Sequence, residues 1–508
     1  MSGDPHSPKA TLRFSDDDLA CFSAASHDRN PLHLSAEYAR KTAYGRPVVF
    51  GILGALVCLG HLTARPDDEL TSLVLEFLSP IFPGVAYRIE IRQQTEESAS
   101  VRLYDGQRAV LRLNVCFRPG SGTRPAQDHE TVAPAHTEAL DRRAADLVPG
   151  SGVSGCYTPD WHQLADLIAR WDLADKGLSP MQVAALLWAS YLIGMELPGR
   201  RALFARLALE WEPQSEAGPL SYRAVVRTLD PRFNLLRLDV ALDTPTGAPT
   251  AKGELRAFVL PEARGLLDAP FERSERLAGR VALVIGASRG LGARLAQALA
   301  LQGCTVVANF QRSAAEAEQL QRQLGPEGTD APGKVVLLQG DGGDAAWCAA
   351  ARQRVLADYG RLDMLICNAS PALVPLWLDP GALERIHDYV ARSLALVSTP
   401  LAVFLETLSE HDGRVVVLSS AAVTSPPAAW PHYVAAKSAI EGLAAVAARE
   451  YPMVHFLVAR PPRLQTDLTS TPTEYQAALP PEPVAARIAA WLASPGSAGQ
   501  IEILQSFT

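Results

Sequence analysis

Twice in the N-terminal half of the chain an apolar run leads into a series of short segments rich in β-formers, and this repeat constrains the fold more than any other feature. The first run, residues 48–62, precedes segments at 72–78, 86–94, 98–104 and 109–117. The second, residues 180–195, precedes segments at 202–211, 221–229, 235–242 and 252–260. Turn-forming residues bound each segment. The densest apolar stretches, 48–62 and 184–195, are shorter than the ~20 residues that cross a bilayer, so they read as helices buried in a core. A buried helix followed by antiparallel strands predicts a sheet wrapped round that helix. Two in tandem predict a pseudo-dimer within one chain.

That plan is the hotdog fold. After a break at residues 261–277 the sequence changes character. Short apolar segments at 280–285, 305–309, 334–338, 364–367, 415–419 and 455–459 alternate with helical stretches, which predicts a doubly wound parallel sheet of Rossmann type. A second loop-like stretch, rich in Pro, Gly and Ser, lies at 118–138. The expected organisation is multidomain: an α+β double hotdog, with a first half over 1–140 and a second over 141–264, then an α/β Rossmann domain over 265–508.

At 508 residues the chain exceeds what one core supports. Its net charge of −8 argues against a nucleic-acid partner. The seven cysteines include no CxxC pair, which fits free thiols in a reducing compartment. The N-terminus lacks the apolar stretch of a secretory signal, and the C-terminal Gln-Ser-Phe-Thr is not a peroxisomal address. A cytosolic protein is expected, with no membrane segment and no metal site.

In the third block an apolar strand runs into Gly286-Ala-Ser-Arg-Gly290-Leu-Gly292, which opens a helix. Glycines there permit a tight turn and let a pyrophosphate approach the helix amides. Such clusters recur in many loops, and it is the downstream context that carries weight. Ser420 ends a strand, Tyr433 lies 13 positions beyond it, and Lys437 is one helical turn further on the same face. A phenol that protonates a carbonyl oxygen near neutral pH needs its pKa lowered from ~10, and an adjacent ammonium does this.

With these spacings the block resembles the short-chain dehydrogenase/reductase family from about residue 277 to the C-terminus. The resemblance implies Tyr433 as general acid, Ser420 as the group that orients the carbonyl, and Lys437 as the residue that tunes Tyr433 and binds the nicotinamide ribose. It further implies a cofactor site of Gly286, Ser288, Arg289, Gly290, Leu291, Gly292, Asn309, Arg312, Asp341, Asn368 and Thr466. NAD-binding relatives place an acid at the end of the second strand. This chain has Ala-Asn309-Phe-Gln-Arg312 there, and Arg289 and Arg312 are placed for a 2′-phosphate, so NADP(H) is expected. Three departures stand out. Ser393 occupies the position of the family's relay asparagine, Pro462 replaces a glycine after Pro461, and the usual glycine-rich tail is missing. An inactive reductase therefore stays open.

Near the N-terminus, Ser26-His-Asp28-Arg-Asn30-Pro-Leu-His33 places an acid and a base five residues apart. Asn30-Pro31 favours a turn that holds both side chains off regular structure. Dehydrating a 3-hydroxyacyl thioester needs one group to take the C2 proton and another to protonate the departing hydroxyl. The enolate oxygen needs donors, which a helix N-terminus supplies. The longer string, with Glu37-Tyr-Ala-Arg, Gly45-Arg-Pro-Val-Val-Phe50-Gly51 and Phe77-Leu-Ser-Pro-Ile-Phe-Pro-Gly84, resembles the MaoC-like (R)-specific enoyl-thioester hydratases and dehydratases. It implies Asp28 and His33 as the catalytic pair, Asn30 as a supporting residue and Gly51 as an oxyanion donor. Phe50 stands where those enzymes usually have His. The second half has no such pair, and is expected to complete the pseudo-dimer and shape the acyl tunnel.

Together the resemblances imply reduction of a 3-oxoacyl thioester and its dehydration to the trans-2-enoyl product, with the acyl group carried on an acyl carrier protein or CoA. Self-association through the reductase domain is expected by analogy. Two other readings remain: one active domain with the other as scaffold, and a non-catalytic acyl-carrier-docking protein.

Overall fold

The computed structural model describes residues 11–120, 134–212, 218–261, 271–324, 331–469, 475, 477–494 and 501–507. They form two compact units, one of the described residues up to 261 together with 475, the other of the rest from 271 onward.

The first unit is built on one antiparallel sheet. Its strands are β1 (Thr11–Leu12), β2 (Asp68–Phe77), β3 (Tyr87–Gln94), β4 (Ser98–Asp105), β5 (Arg108–Pro119), β6 (Gly152–Tyr157), β7 (Ala202–Trp211), β8 (Leu220–Asp230), β9 (Leu235–Asp243) and β10 (Pro249–Val259). Their order is β1-β3-β4-β5-β2-β7-β10-β9-β8-β6. The order reads the same outward from the centre in both directions: β2 answers β7, β5 answers β10, and so on to the edges. The halves join where β2 pairs antiparallel with β7, from Ser72 opposite Glu210 to Glu76 opposite Arg206. Alternation sets the inner face: on β5, Leu111, Leu113, Val115 and Phe117 are buried while Arg112, Asn114 and Cys116 are exposed.

Each half wraps a helix that is apolar all round, as burial on every side requires. The first is Gly51–Gly60, buried from Ile52 to Leu59. The second is Pro180–Tyr191, every residue of which is buried. Ser179 caps it and exchanges hydrogen bonds with Gln182 in a capping box. The Gln182 amide then donates to the Leu70 carbonyl of β2 at 2.6 Å, fastening the second helix to the first half. A π-helical turn, Leu192–Glu196, continues it.

The second unit is a parallel sheet of β11 (Val281–Ile285), β12 (Thr305–Phe310), β13 (Lys334–Gln339), β14 (Met364–Cys367), β15 (Arg414–Leu418), β16 (His455–Ala459) and β17 (Ile501–Leu504). The order β13-β12-β11-β14-β15-β16-β17 puts the topological switch between β11 and β14, where such sheets bind ligands. Strands buried on both faces, such as Val281–Ile285, read as continuous apolar runs. The helix Leu383–Ser409 lies in a stretch long and apolar enough to cross a membrane. Here Ile386, Val397, Leu401, Phe404, Leu405 and Leu408 are buried in the folded unit, Val397 to Leu408 in the core beneath the sheet.

Candidate active sites

The N-terminal site begins with the helix Asp16–Ser26. Ser15 and Asp18 form a capping box, and three aspartates in the first turn complement the helix dipole. The helix stops at His27, whose φ of 58° is left-handed, and the chain turns inward. Asp28 follows, 1% exposed. Its backbone is pinned on both sides: Ser23 Oγ donates to its carbonyl at 2.7 Å, and its N–H donates to Ser26 Oγ at 3.2 Å. Its carboxylate accepts from Asn30 N (3.0 Å) and from Ser190 Oγ (2.7 Å). Burial pushes the carboxyl up to about 7, against both hydrogen bonds.

Contrary to the expectation from Asn30-Pro31, His33 does not lie outside regular structure. It is in a one-turn helix, Pro31–Leu34, which Pro31 starts at N1 and Asn30 caps by accepting from Leu32 N at 2.9 Å. The other end of the Asn30 amide donates to the Gly194 and Gly199 carbonyls, 3.0 Å each. His33 Nδ1 lies 2.8 Å from the Val48 carbonyl. A carbonyl only accepts, so Nδ1 carries the proton and Nε2 the lone pair. Burial holds the imidazole down at about 4, so it is neutral at pH 7. Its ring stacks 4.0 Å from Phe50, which is fully buried. Among the described residues the Asp28 and His33 side chains do not hydrogen-bond each other; each is held by its own partners.

Gly51 opens the first buried helix, and Phe50 provides no side-chain cap. The first intrahelical bond runs from Gly54 N to Phe50 O, leaving the amides of Gly51, Ile52 and Leu53 as donors. A Cβ on Gly51 would lie 2.6 Å from the Phe77 ring. Two residues that touch Asp28 were missed in the sequence, Ser190 and Gly194 of the second half. No local pattern marks them, because both sit in a run that reads only as core.

In the second unit, Gly286 follows β11 at φ 79°. Two asparagines grip it: Asn309 at the end of β12 accepts from Gly286 N at 3.2 Å, and Asn368 after β14 donates to Gly286 O at 2.8 Å. The Asn309 amide is spent on the protein, since its nitrogen donates to the Leu338 and Gly340 carbonyls. Through these bonds Asn309 shapes the turn at Gly286. A Cβ on Gly292 would fall 2.1 Å from Gly286 O, so the turn closes only on glycine. Ser288 and Leu291 are buried in the turn. Arg289 pairs with Asp467 at 3.0 Å. Thr466 faces the turn, its methyl 3.5 Å from where a Gly290 Cβ would sit. Asp341 accepts from Gly343 N, Gln311 Nε2 and Arg392 Nη2 at 2.8–3.0 Å. Arg312, just past β12, is exposed. A glycine turn with no room for side chains, feeding a helix N-terminus at the switch point, fits a dinucleotide pyrophosphate.

Ser420 lies two residues past β15 and caps the turn Ala421–Val423, its hydroxyl accepting from Ala422 N at 3.1 Å. Tyr433 and Lys437 lie one turn apart on the helix Pro431–Glu450, with Lys437 Nζ 5.7 Å from the Tyr433 ring centre. Burial raises the Tyr433 hydroxyl above 10, and its hydrogen bond with Ser420 is what opposes the rise. This corrects the expectation that Lys437 lowers it: the ammonium is turned onto the Leu418 carbonyl at 2.7 Å. Burial brings Lys437 down to about 8, and the Glu441 charge resists. Glu441, missed in the sequence, lies one turn beyond Lys437. It accepts from Ser419 Oγ and pairs with Arg460 at 2.6 and 2.9 Å. Its only signal was the (i, i+4) spacing from Lys437. Ser393 donates to the Tyr389 carbonyl of its own helix at 2.7 Å, which commits its proton.

Fold and geometry thus define the class: an α/β domain of dinucleotide-binding type in one chain with a hotdog domain. Residues 280–476 match the family described as short chain dehydrogenase, and residues 2–110 match the MaoC like domain. An uncharacterized oxidoreductase of Methylorubrum extorquens is 31% identical over 182 residues, 34% of this chain and 68% of that protein. The 3-oxoacyl-(acyl-carrier-protein) reductase FabG of Escherichia coli is 28% identical over 203 residues, 39% of this chain and 80% of that protein. Among solved structures, the alcohol dehydrogenase from the archaeon Thermococcus sibiricus complexed with 5-hydroxy-NADP is 25% identical with a TM-score of 0.40, over 45% of this chain and 95% of that one. The chain belongs to the short-chain dehydrogenase family through its C-terminal unit and carries a MaoC-like domain at its N-terminus.

Proposed function

We propose that the chain performs two consecutive steps on an acyl thioester: NADPH-dependent reduction of a 3-oxoacyl group, then dehydration of the 3-hydroxyacyl product to the trans-2-enoyl thioester. The observation that carries this reading is geometric: Asp28 and His33 lie on one short segment, the carboxyl held by Asn30 N and Ser190 Oγ, the imidazole held through Nδ1 by the Val48 carbonyl so that Nε2 carries the lone pair. Burial favours the neutral form of both groups, an imidazole that can take a proton and a carboxyl that can give one. In the dehydration His33 Nε2 takes the C2 proton. The electron pair moves into the thioester, whose oxygen meets the free amides at Gly51. The C3–O bond then breaks as Asp28 passes its proton to the departing hydroxyl, releasing water and forming the C2–C3 double bond.

In the second unit the nicotinamide, when bound, supplies hydride to the carbonyl carbon. Ser420 orients the carbonyl oxygen, Tyr433 protonates it, and Lys437 holds the ribose side of the site. NADPH is favoured over NADH because the residues that follow β12, Gln311 and Arg312, include no acid, and Arg312 is exposed for a 2′-phosphate. The cytosol, a carrier-protein-bound acyl chain and a homo-oligomer complete the reading, the carrier being the substrate class named for FabG. One observation favours a second reading, in which dehydration is the main activity: the Ser393 hydroxyl donates to its own helix, which slows proton resupply to Tyr433.

The test is a 3-oxoacyl thioester with NADPH, followed by cofactor absorbance and by mass of the product. NADPH oxidation abolished in Tyr433→Phe, with 3-hydroxyacyl product accumulating in Asp28→Asn, supports both steps. Dehydration of added 3-hydroxyacyl thioester without NADPH oxidation leaves the second reading. Neither reaction with any acyl thioester overturns the proposal.

A further inference from the structure

The second hotdog half has no acid-base pair of its own, yet its helix reaches Asp28. Ser190, 5% exposed and in the last turn of Pro180–Tyr191, donates to Asp28 Oδ2 at 2.7 Å across 162 residues of sequence. Immediately after it the helix widens into the π-turn Leu192–Glu196, a distortion frequent at functional sites. Gly194 lies in that turn, and a Cβ there would sit 2.4 Å from Asp28 Oδ1 and 2.6 Å from Oδ2. The same turn is tied to the catalytic segment twice more, by Asn30 Nδ2 to Gly194 O and by Arg29 N to Met195 Sδ. The widening thus seats the Asp28 carboxylate against bare backbone and under one hydroxyl donor.

We infer that the second half is a working part of the dehydration site, with Ser190 as a positioning residue that holds the Asp28 carboxylate and sets where it titrates, and Gly194 as the residue that makes room for it. The Ser190 hydroxyl commits its proton to Asp28 Oδ2, and Ser190 acts through that carboxylate. A donor to the carboxylate stabilises its ionised form, so Ser190 keeps Asp28 from rising further as an acid. The titratable groups that face Asp28 are Tyr157 of β6 and Tyr191 of the second helix, with His27 and His33 on its own segment and the permanent charge of Arg29 beside it. Burial keeps both tyrosines protonated, Tyr191 up to about 12. Burial also lowers both histidines, His33 to about 4. Asp28 therefore titrates near neutrality against a background of fixed charge.

The inference rests on the dehydratase reading, and the experiment separates the two. In full-length protein with carboxyl-13C aspartate, the Asp28 resonance is assigned by its loss in Asp28→Asn. Its titration is then followed in the unsubstituted chain, Ser190→Ala, Ser190→Cys and Gly194→Ala. Ser190→Ala should move the Asp28 midpoint up by about one pH unit, with Ser190→Cys in between. The alkaline limb of dehydration should move up by the same amount, with kcat falling several-fold and KM little changed. Gly194→Ala should perturb the same resonance and reduce kcat further. An Asp28 midpoint and pH profile unchanged in Ser190→Ala overturn the inference, even with dehydration intact. If the unsubstituted protein dehydrates nothing, the activity reading fails, and the midpoint still decides whether Ser190 holds Asp28.

Discussion

His33 Nδ1 lies 2.8 Å from the carbonyl oxygen of Val48, which fixes the imidazole with its proton turned away and Nε2 free. With Asp28 at about 7 and His33 at about 4, dehydration requires His33 neutral, hence a pH above about 4, and Asp28 protonated, hence a pH below about 7. The dependence of kcat/KM on pH should be a bell between these limbs. His33→Gln should lower kcat at least 100-fold and remove the acid limb. A profile still rising at pH 9 would contradict Asp28 as the acid.

The same carboxyl carries a stability cost with a definite sign. Its folded-state value, about 7, is raised above the ordinary 3.8, so the folded state resists its ionisation. The cost is absent below 3.8, grows as pH rises, and is complete above 7. Asp28→Asn, which keeps an acceptor for Ser190 and Asn30 N, should therefore stabilise the first unit by up to about 4 kcal/mol at pH 8 and by little at pH 4. Denaturant titrations at the two pH values check this. A variant that is dead in dehydration yet more stable would show that the site holds its acid against the fold's preference.

Gly292→Ala should break nicotinamide binding without touching the catalytic trio. Its methyl would meet Gly286 O at 2.1 Å and Asn368 Nδ2 at 2.5 Å, so the turn must open and the amides at the helix N-terminus lose their aim. The expected outcome is at least a 100-fold weaker Kd for NADPH by fluorescence titration, with dehydration of added 3-hydroxyacyl thioester unchanged.

How much of this was legible in the chain depends on how local the signal is. Val281–Ile285 and the glycines after it announce a parallel strand and a phosphate turn within a dozen residues, and the alternation on β5 shows which face is buried. The edges were harder. β1 is two residues long and β6 contains two glycines, so neither carries a β-forming pattern. Ser190 and Gly194 were invisible for a different reason. Their partner is 162 residues away from Ser190, and in an unbroken apolar run a serine and a glycine read only as helix packing. The His33 turn was misread because Pro31 signals a break from one side and a helix start from the other, and Asn30 decides between them by capping. The Lys437–Tyr433 spacing was plain, but burial, which sequence does not report, reversed the expected direction of the Tyr433 shift.

Glu441 offers the sharpest test of the reductase site. Burial draws the Lys437 ammonium down to about 8, and the Glu441 charge is what opposes that fall. Arg460 and Ser419 hold the carboxylate in place. The ammonium form of Lys437 is lost as pH rises through about 8, so reduction should fall on that limb. In Glu441→Gln the opposing charge is gone, Lys437 deprotonates at a lower pH, and the alkaline limb of NADPH oxidation should move down by roughly half a unit to one unit. Glu441→Asp, which keeps the charge at shorter reach, should restore part of the shift. Because Arg460 loses its partner in Glu441→Gln, some loss of stability is expected as well, so the diagnostic is the displaced limb and not the lowered rate. A limb that stays in place while the rate falls would show that Glu441 serves only to pair Arg460.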